Sequence, residues 1–318
     1  MIRSDPAQDF EPAYLSLLGD GRLSATAERA YRRLADCDLC AHYCHADRLK
    51  SIKGAVCRTG VDAMLHSYGA HHGEEDPLRG TRGSGTIFFS WCNLRCVFCQ
   101  NWDIRQKSAG HEVKPQALAE MMLQLQAQGC HNINFVTSSH VVAQIIAAVD
   151  IAARQGLRLP LIYNTGGYDS PEVLTLLDGI IDIYLPDMKY GDSTIAHQYS
   201  HGRDYVEINF AAVREMYRQV GDLRLDADGI AQRGLLVRHL VLPDDLAETA
   251  AVLAFLADKV SRRSYLNLMD QYRPCYRAND NPPLDRPLSR EEYQRALDLA
   301  ANYGLQRLDC RHHRRSLF

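Results

Sequence analysis

Cys92, Cys96 and Cys99 stand in the run Ser90-Trp91-Cys92-Asn93-Leu94-Arg95-Cys96-Val97-Phe98-Cys99, a C-x3-C-x2-C spacing just after an apolar segment. Three thiolates this close can hold three irons of a cubane 4Fe–4S cluster, because soft sulfur donors suit such clusters. No fourth cysteine follows locally, which leaves the fourth iron open to a small ligand. The competing readings are a zinc loop that borrows a distant ligand and a cysteine-rich strand end that binds nothing. Three residues between the first two cysteines fit an ordinary zinc knuckle poorly.

A second group precedes it. Cys37-x2-Cys40-x3-Cys44 is followed, across twelve residues, by Cys57. Four thiols complete a tetrahedral set with no position left for chemistry, so a closed zinc site is the first reading. An auxiliary 4Fe–4S cluster is the second, and free buried thiols the third. Of the remaining cysteines, Cys130 and Cys310 read as passive packing. Cys275 lies in Asp270-Gln271-Tyr272-Arg273-Pro274-Cys275, after the last strand candidate, where a thiol could donate a hydrogen atom to a substrate radical; an ordinary loop cysteine is the alternative. Glu74, Glu75 and Asp76, with His71 and His72, read as a solvated loop, with a substrate entrance as the alternative. The basic run from Arg311 to Arg315 reads as a solvated tail.

Composition narrows the classes. The chain has 318 residues, 46% hydrophobic, with 36 Lys and Arg against 39 Asp and Glu. A net charge of -3 argues against a generally basic nucleic-acid binder. No apolar run approaches the 18 residues of a membrane span, and the N-terminus lacks the apolar core of a secretory signal, so the chain reads as cytoplasmic. In a reducing compartment, ten cysteines of which seven are clustered point to metal or catalysis rather than disulfides.

The elements that must position these groups alternate from Gly85 onward. Strand candidates are 86–90, 132–136, 161–164, 181–185, 235–241 and 265–269. A helix is expected over 25–34. Others run from Pro115 through Leu118, Met121, Met122 and Leu125, and over Val142, Ile145, Ile146 and Val149. Ser170-Pro171 opens a further one, 244–256 is another, and Ser289 with Glu292 forms a capping box for the last. Alternation of this kind implies a parallel sheet with helices outside it, either an open doubly wound sheet or an incomplete α/β barrel with six units. The expected division is a cysteine-rich metal-binding extension over 1–82 and a barrel with a C-terminal helix over 83–318. Both sheet types bind ligands at the C-terminal ends of strands.

The C-x3-C-x-aromatic-C motif, with Phe98 as the aromatic, resembles the signature of the radical S-adenosylmethionine (SAM) superfamily. Later segments are similar to those of pyruvate formate-lyase activating enzyme and its relatives: Asn164-Thr165-Gly166-Gly167-Tyr168, Pro186-Asp187-Met188-Lys189 and Val237-Arg238-His239. The likeness covers roughly 83–275. It implies a partial (β/α)6 barrel, a 4Fe–4S cluster on Cys92, Cys96 and Cys99, and SAM on its open iron. It also implies SAM contacts from Phe98, Asn164, Thr165, Asp187, Lys189 and Arg238, and a reduced flavodoxin- or ferredoxin-type electron donor. One departure stands out. The family's Gly-Gly-Glu segment is replaced by Thr137-Ser138-Ser139-His140, leaving Ser138 and His140 as candidates without a fixed negative charge.

The expected activity is reductive cleavage of SAM to a 5′-deoxyadenosyl radical that takes hydrogen from a substrate. The resemblance points to activation of a glycyl-radical enzyme. An epimerase or other small-molecule or sugar-modifying enzyme, with Cys275 as hydrogen donor, is the alternative, and a peptide- or RNA-modifying enzyme is a further one. A non-catalytic iron–sulfur or zinc protein is the reading of another class.

Overall fold

The structure is a computed structural model and describes residues 10–107 and 109–309. Two helices come first, α1 (Tyr14–Leu18) and α2 (Arg22–Arg32), and the four N-terminal cysteines follow in irregular chain. Then come β1 (Ala63–His71), α3 (Asp76–Arg79), β2 (Ser84–Phe89), α4 (Trp102–Gln106) and β3 (His111–Val113). The alternating portion comprises α5 (Pro115–Ala127), β4 (Ile133–Val136), α6 (Val142–Arg154), β5 (Leu161–Thr165), α7 (Pro171–Leu174) and β6 (Ile183–Pro186). It continues with α8 (Ser193–Ser200), α9 (Tyr205–Val220), β7 (Arg224–Leu225), β8 (Ala231–Leu240), α10 (Thr249–Phe255), β9 (Tyr265–Met269) and α11 (Arg290–Asn302).

All six expected strands form, and they pair in parallel in chain order: β2 with β4, then β5, β6, β8 and β9. A sheet wound in one direction, with no reversal of strand order, is barrel-like rather than doubly wound. Among the described residues no pairing joins β9 back to β2, so the sheet is not closed. Every residue of β4, β5 and β6 is buried, as expected for parallel strands covered on both faces.

Three strands escape the sequence pattern. β1 and β3 add antiparallel strands beyond β2, and β7 forms a short ladder with β8. β1 reads Ala-Met-Leu-His-Ser-Tyr-Gly-Ala-His, without β-branched residues and mostly unburied after Leu65, so neither propensity nor alternation marks it. β3 and β7 are too short to carry a period. The helices at Pro115, Val142 and Ser289 form, the last with its capping box complete, whereas the one after Ser170 lasts a single turn. The amphipathic α9 buries Tyr205, Asn209, Ala212, Val213, Met216 and Val220 along one side.

The chain before the barrel is built into it. α2 places Leu23, Ala27 and Ala30 in the same apolar core as Val142, Ile145, Ile146 and Val149 of α6. The turn α3 enters the barrel itself. Leu78 is wholly buried against Ile162, Ile183, Leu185 and Leu236, which come from β5, β6 and β8. Its carbonyl accepts from Asn132 Nδ2 at 2.7 Å, and Asn132 in turn accepts from Ser84 Oγ at 2.6 Å. Asp182, just before β6, fastens the first helix: one carboxylate oxygen accepts from the Ala13 N–H at 2.9 Å and the other from the Leu161 N–H at 3.1 Å.

Two expectations follow. Leu78→Ala empties the middle of the barrel and should cost about 2–5 kcal/mol in urea unfolding; a loss under about 0.5 kcal/mol would mean that α3 is peripheral. Burial pushes the Asp182 pKa up to about 7, against two backbone donors that favour the anion. The folded chain then keeps this proton over a range in which the unfolded chain, at 3.8, has lost it. This group therefore makes stability fall as pH rises from about 4 to about 7. Asp182→Asn should flatten the melting temperature across that range, and an unchanged slope would contradict the assignment.

Candidate active site

The C-terminal ends of the parallel strands open into a cavity of about 980 Å³, at the upper end for ligand pockets. The loop after β2 forms one wall and contributes Cys92, Cys96, Phe98 and Cys99. The polar wall consists of Asn164 and Thr165 at the end of β5, Asp187 and Lys189 after β6, Arg238 on β8 and Asn267 on β9. Eight of the residues singled out in the sequence other than the cysteines were expected at the ligand. Six of them, Phe98, Asn164, Thr165, Asp187, Lys189 and Arg238, line this cavity.

The loop presents its sulfurs through its backbone. Trp91 takes a left-handed φ of 66°, an uncommon conformation for a bulky side chain, and turns the chain into the loop. The Leu94 N–H then donates to Cys92 Sγ at 3.3 Å, and the Asn101 N–H lies in hydrogen-bonding contact with the Cys99 sulfur. Ser200 Oγ donates to Cys96 Sγ at 3.0 Å. Burial pushes the Cys99 thiol up to about 12, and the charge at Cys96 adds to this. Burial also raises the Cys96 thiol, with Lys189 and the Ser200 hydroxyl acting the other way. Among the described residues no three His, Cys, Asp or Glu side chains are closed at metal-ligand spacing. The three thiols are grouped by the path of their loop.

Two ion pairs dominate the polar wall. Lys189 Nζ donates to Asp187 Oδ2. Burial works against this ammonium, but the charges of Asp187 and Cys96 outweigh it and raise the Lys189 pKa above the usual lysine value. Arg238 donates through Nε and Nη2 to the two oxygens of Glu75, both at 2.7 Å, and also pairs with Glu74. Asn267 Nδ2 donates to Glu75 Oε1 at 2.6 Å. Glu75 is 0% exposed and Glu74 5%, so these two form an inner wall of the cavity and not the solvated loop expected from their composition, whereas His71, His72 and Asp76 are exposed. The physical reason is the guanidinium of Arg238, which keeps its charge when buried and recruits carboxylates. Arg238 is thus engaged by protein carboxylates, and Lys189 by Asp187.

Ser138 and His140 stand elsewhere. Ser138 Oγ donates to the Asn164 carbonyl at 3.0 Å, and His140 Nε2 lies 3.1 Å from the Ser90 carbonyl, both fully within the protein. Burial depresses the His140 pKa to about 3, so the ring is neutral and braces the strand end ahead of the cysteine loop. From that segment it is Thr137 that lines the cavity, at a left-handed φ of 66°, an outlier for a β-branched residue. Its Oγ1 is buried without a hydrogen-bond partner, as are Asn164 Nδ2 and Asn267 Oδ1. These three atoms belong to residues of the cavity wall. Asn267, the lone polar residue in Tyr265-Leu266-Asn267-Leu268-Met269, was signalled by that oddity; Thr137 had no comparable signal.

Cys275 is half-buried and is not among the residues lining the cavity. Its segment packs against the outside of the cysteine loop: Tyr272 meets Phe98 edge-on, Tyr276 stacks on Trp102, and the Arg277 N–H donates to the Val97 carbonyl at 2.9 Å. Cys130 is buried, while Cys310 and the basic tail lie outside the described residues. Cys37, Cys40, Cys44 and Cys57 are brought together behind the loop, away from the cavity.

An incomplete parallel barrel with a C-x3-C-x2-C loop at its mouth defines the class of protein. Residues 86–222 match the family model described as Radical SAM superfamily. An uncharacterized protein of Methanocaldococcus jannaschii is 29% identical over 290 residues, covering 89% of this chain and 79% of that protein. A solved structure of TYW1 with a lysine-pyruvate adduct bound superposes with a TM-score of 0.43 at 10% identity, covering 68% of this chain and 73% of that one. No helix among the described residues is long and apolar enough to cross a membrane.

Glu75→Gln leaves the partly buried Arg238 with one full carboxylate fewer. It should lower the free energy of unfolding by about 3 kcal/mol, the scale of a broken buried ion pair. A denaturation midpoint equal to that of the unaltered chain would show that the pair is not needed.

Proposed function

We propose that the chain is a radical SAM enzyme in which Cys92, Cys96 and Cys99 hold a 4Fe–4S cluster and the polar wall holds SAM. The observation that carries this reading is the joining of three thiols and a wall of polar strand-end residues in one cavity. The match to the superfamily model implies both cofactors. When bound, the reduced cluster and SAM supply a 5′-deoxyadenosyl radical that abstracts hydrogen from a substrate carbon.

The chain's own residues have distinct tasks. The Ser200 hydroxyl and the Asn101 N–H favour the thiolates of Cys96 and Cys99 against the effect of burial, and the Leu94 N–H donates to Cys92 Sγ. Lys189 and Asp187 offer a donor and an acceptor beside Cys96 for an amino acid's carboxylate and ammonium or for a ribose diol. Thr137, Asn164 and Asn267 offer the remaining donors and acceptors. Phe98, against Tyr190 and Tyr272, keeps an apolar surface beside the thiols.

For the substrate, we adopt the activase-like reading, hydrogen abstraction from a protein glycine with a reduced flavodoxin- or ferredoxin-type donor. It needs no second hydrogen donor in the cavity, and Cys275 is not in its lining. The epimerase reading requires such a thiol. In keeping with the four-cysteine spacing, Cys37, Cys40, Cys44 and Cys57 hold a second metal centre.

Anaerobic, iron-replete and dithionite-reduced protein should form 5′-deoxyadenosine from SAM, and Cys96→Ala should bring it to background. Lys189→Met should weaken SAM binding by about 10- to 100-fold, the worth of a charged hydrogen bond. A fully reduced cluster that yields no deoxyadenosine sinks the proposal. A glycyl-radical doublet on a partner protein in electron paramagnetic resonance would establish the activase reading, and turnover that stalls on Cys275→Ala would replace it with the epimerase one.

A further inference from the structure

The turn Asp187-Met188-Lys189 carries the ion pair that faces the cavity after β6, and its peptide groups are held from three directions. The Asp187 N–H donates to the Thr165 carbonyl at 2.9 Å and the Met188 N–H to the Arg238 carbonyl at 2.8 Å. The Met188 carbonyl accepts from His239 Nδ1 at 2.6 Å. Two more contacts come from α9. The Lys189 N–H donates to the Tyr205 hydroxyl oxygen at 3.1 Å, and the Asp187 carbonyl accepts from Asn209 Nδ2 at 3.0 Å.

Tyr205 and Asn209 bind the end of β5 as well. The Tyr205 hydroxyl donates to the Gly166 carbonyl at 2.9 Å and lies 3.2 Å from that of Asp187. Asn209 gives its other amide proton to the Gly167 carbonyl at 3.0 Å. The two residues are one helical turn apart on the same side of α9, and both are wholly buried. Gly167 leaves room for them: a Cβ there would lie 2.1 Å from the Asp187 carbonyl oxygen and 2.2 Å from Asn209 Nδ2.

The chain just ahead of α9 holds the cysteine loop. The Arg95 N–H donates to the Ser200 carbonyl and the Val97 N–H to the Tyr199 carbonyl, both at 2.9 Å, one on each side of Cys96. Ser200 Oγ donates to Cys96 Sγ at 3.0 Å. A hydroxyl that gives its one proton to sulfur accepts from its other neighbour, here the Tyr190 hydroxyl at 2.6 Å. Tyr190 directly follows Lys189. Cys96, Tyr168, Tyr190, Tyr199 and Tyr205 belong to one buried cluster, with Tyr205 stacked on Tyr168. Residues 199–209 thus grip both the loop that carries Cys96 and the turn that carries Lys189.

We propose that this stretch is the spacer of the site, with Ser200, Tyr205 and Asn209 as positioning residues that fix the Asp187–Lys189 pair relative to Cys96. This rests on the reading that Cys96 holds a cluster and the polar wall holds SAM, and it adds what sets the distance between them. Ser200, Tyr205 and Asn209 do not themselves line the cavity, so they act through Cys96, Asp187 and Lys189. A ligand bound to an iron at one end and to this pair at the other requires both within about 0.5 Å of the productive geometry. The spacer is stiff because α9 buries Ala212, Val213 and Met216 in the main core.

Tyr205→Phe keeps the stacked ring and removes the hydroxyl. In the full chain the Lys189 amide should then exchange hydrogen at least about 5-fold faster, the effect of one neutral hydrogen bond. The Gly191 amide, bonded instead to the Ala247 carbonyl, should exchange as before. Equilibrium dialysis of the iron-loaded, anaerobic chain should show SAM bound about 5-fold more weakly. In a Lys189→Met chain the same change should add less than about 2-fold, because the hydroxyl acts through that residue. Ser200→Ala should keep its iron and weaken SAM binding by a similar factor. Should Tyr205→Phe not fold, Asn209→Ala carries the same measurements. Unchanged exchange at Lys189, or unchanged SAM affinity in Tyr205→Phe, would overturn the spacer. An undiminished loss in the Lys189→Met chain would make Tyr205 a packing residue only, and iron loss from Ser200→Ala would remove Ser200 from the proposal. An unaltered chain that binds no SAM would overturn the reading of the site and the spacer with it, whereas failure of the spacer alone leaves SAM binding by the unaltered chain intact.

Discussion

The charge of Arg238 cannot be switched off, and much of the structure follows from where that charge is placed. It sits at the inner end of β8, in a sheet whose outer strands do not meet. The carboxylates that neutralise it come from the other side of the gap, on the segment that leaves β1 and returns to β2. Glu75 reaches Arg238 on β8 and Asn267 on β9, so a polar clasp joins the two edges that hydrogen-bonded strands leave apart. Leu78, three residues on, fills the interior below it. One short stretch thus provides both the plug of the barrel and an inner wall of the cavity.

The cysteine loop is held in a similar way, by neighbours on both sides rather than by regular structure of its own. The N-terminal segment grips Asn93 and Arg95 from behind, and the stretch from Gln271 to Arg277 grips Val97, Phe98, Gln100 and Trp102 from the front. Three sulfurs on an irregular loop keep their relative positions because the carbonyls between them are already occupied. His140 contributes from beneath, as a neutral ring on the Ser90 carbonyl.

The six parallel strands and the helices at Pro115, Val142 and Ser289 were legible because their apolar residues recur at the right period and their caps are local. The cavity residues at the ends of β5, β6 and β8 were legible because a polar group that ends an apolar strand is conspicuous. What was not legible is long-range. Nothing near Glu74 and Glu75 tells of a guanidinium more than 160 positions away, so an acidic stretch reads as solvent-facing. Ser138 and His140 were chosen for their chemistry, but the backbone turn at Thr137 points that residue inward and gives the other two structural partners. β1 was missed because an antiparallel strand without β-branched residues and with most of its side chains unburied carries no signal except its partners.

The order in which the ribosome delivers these pieces gives the plug a further meaning. Glu74, Glu75 and α3 are synthesised before β8 and β9, yet Glu75 is bound to residues 163 and 192 positions downstream. Until β8 and β9 emerge, the pocket of Leu78 lacks Leu236 and the carboxylates lack Arg238 and Asn267. The interior can therefore be completed only when nearly the whole chain is available. Contacts of such sequence separation slow folding and lengthen the exposure of apolar surface. A truncation before β9 would remove more than a strand, because it would leave the first part of the chain without its destination.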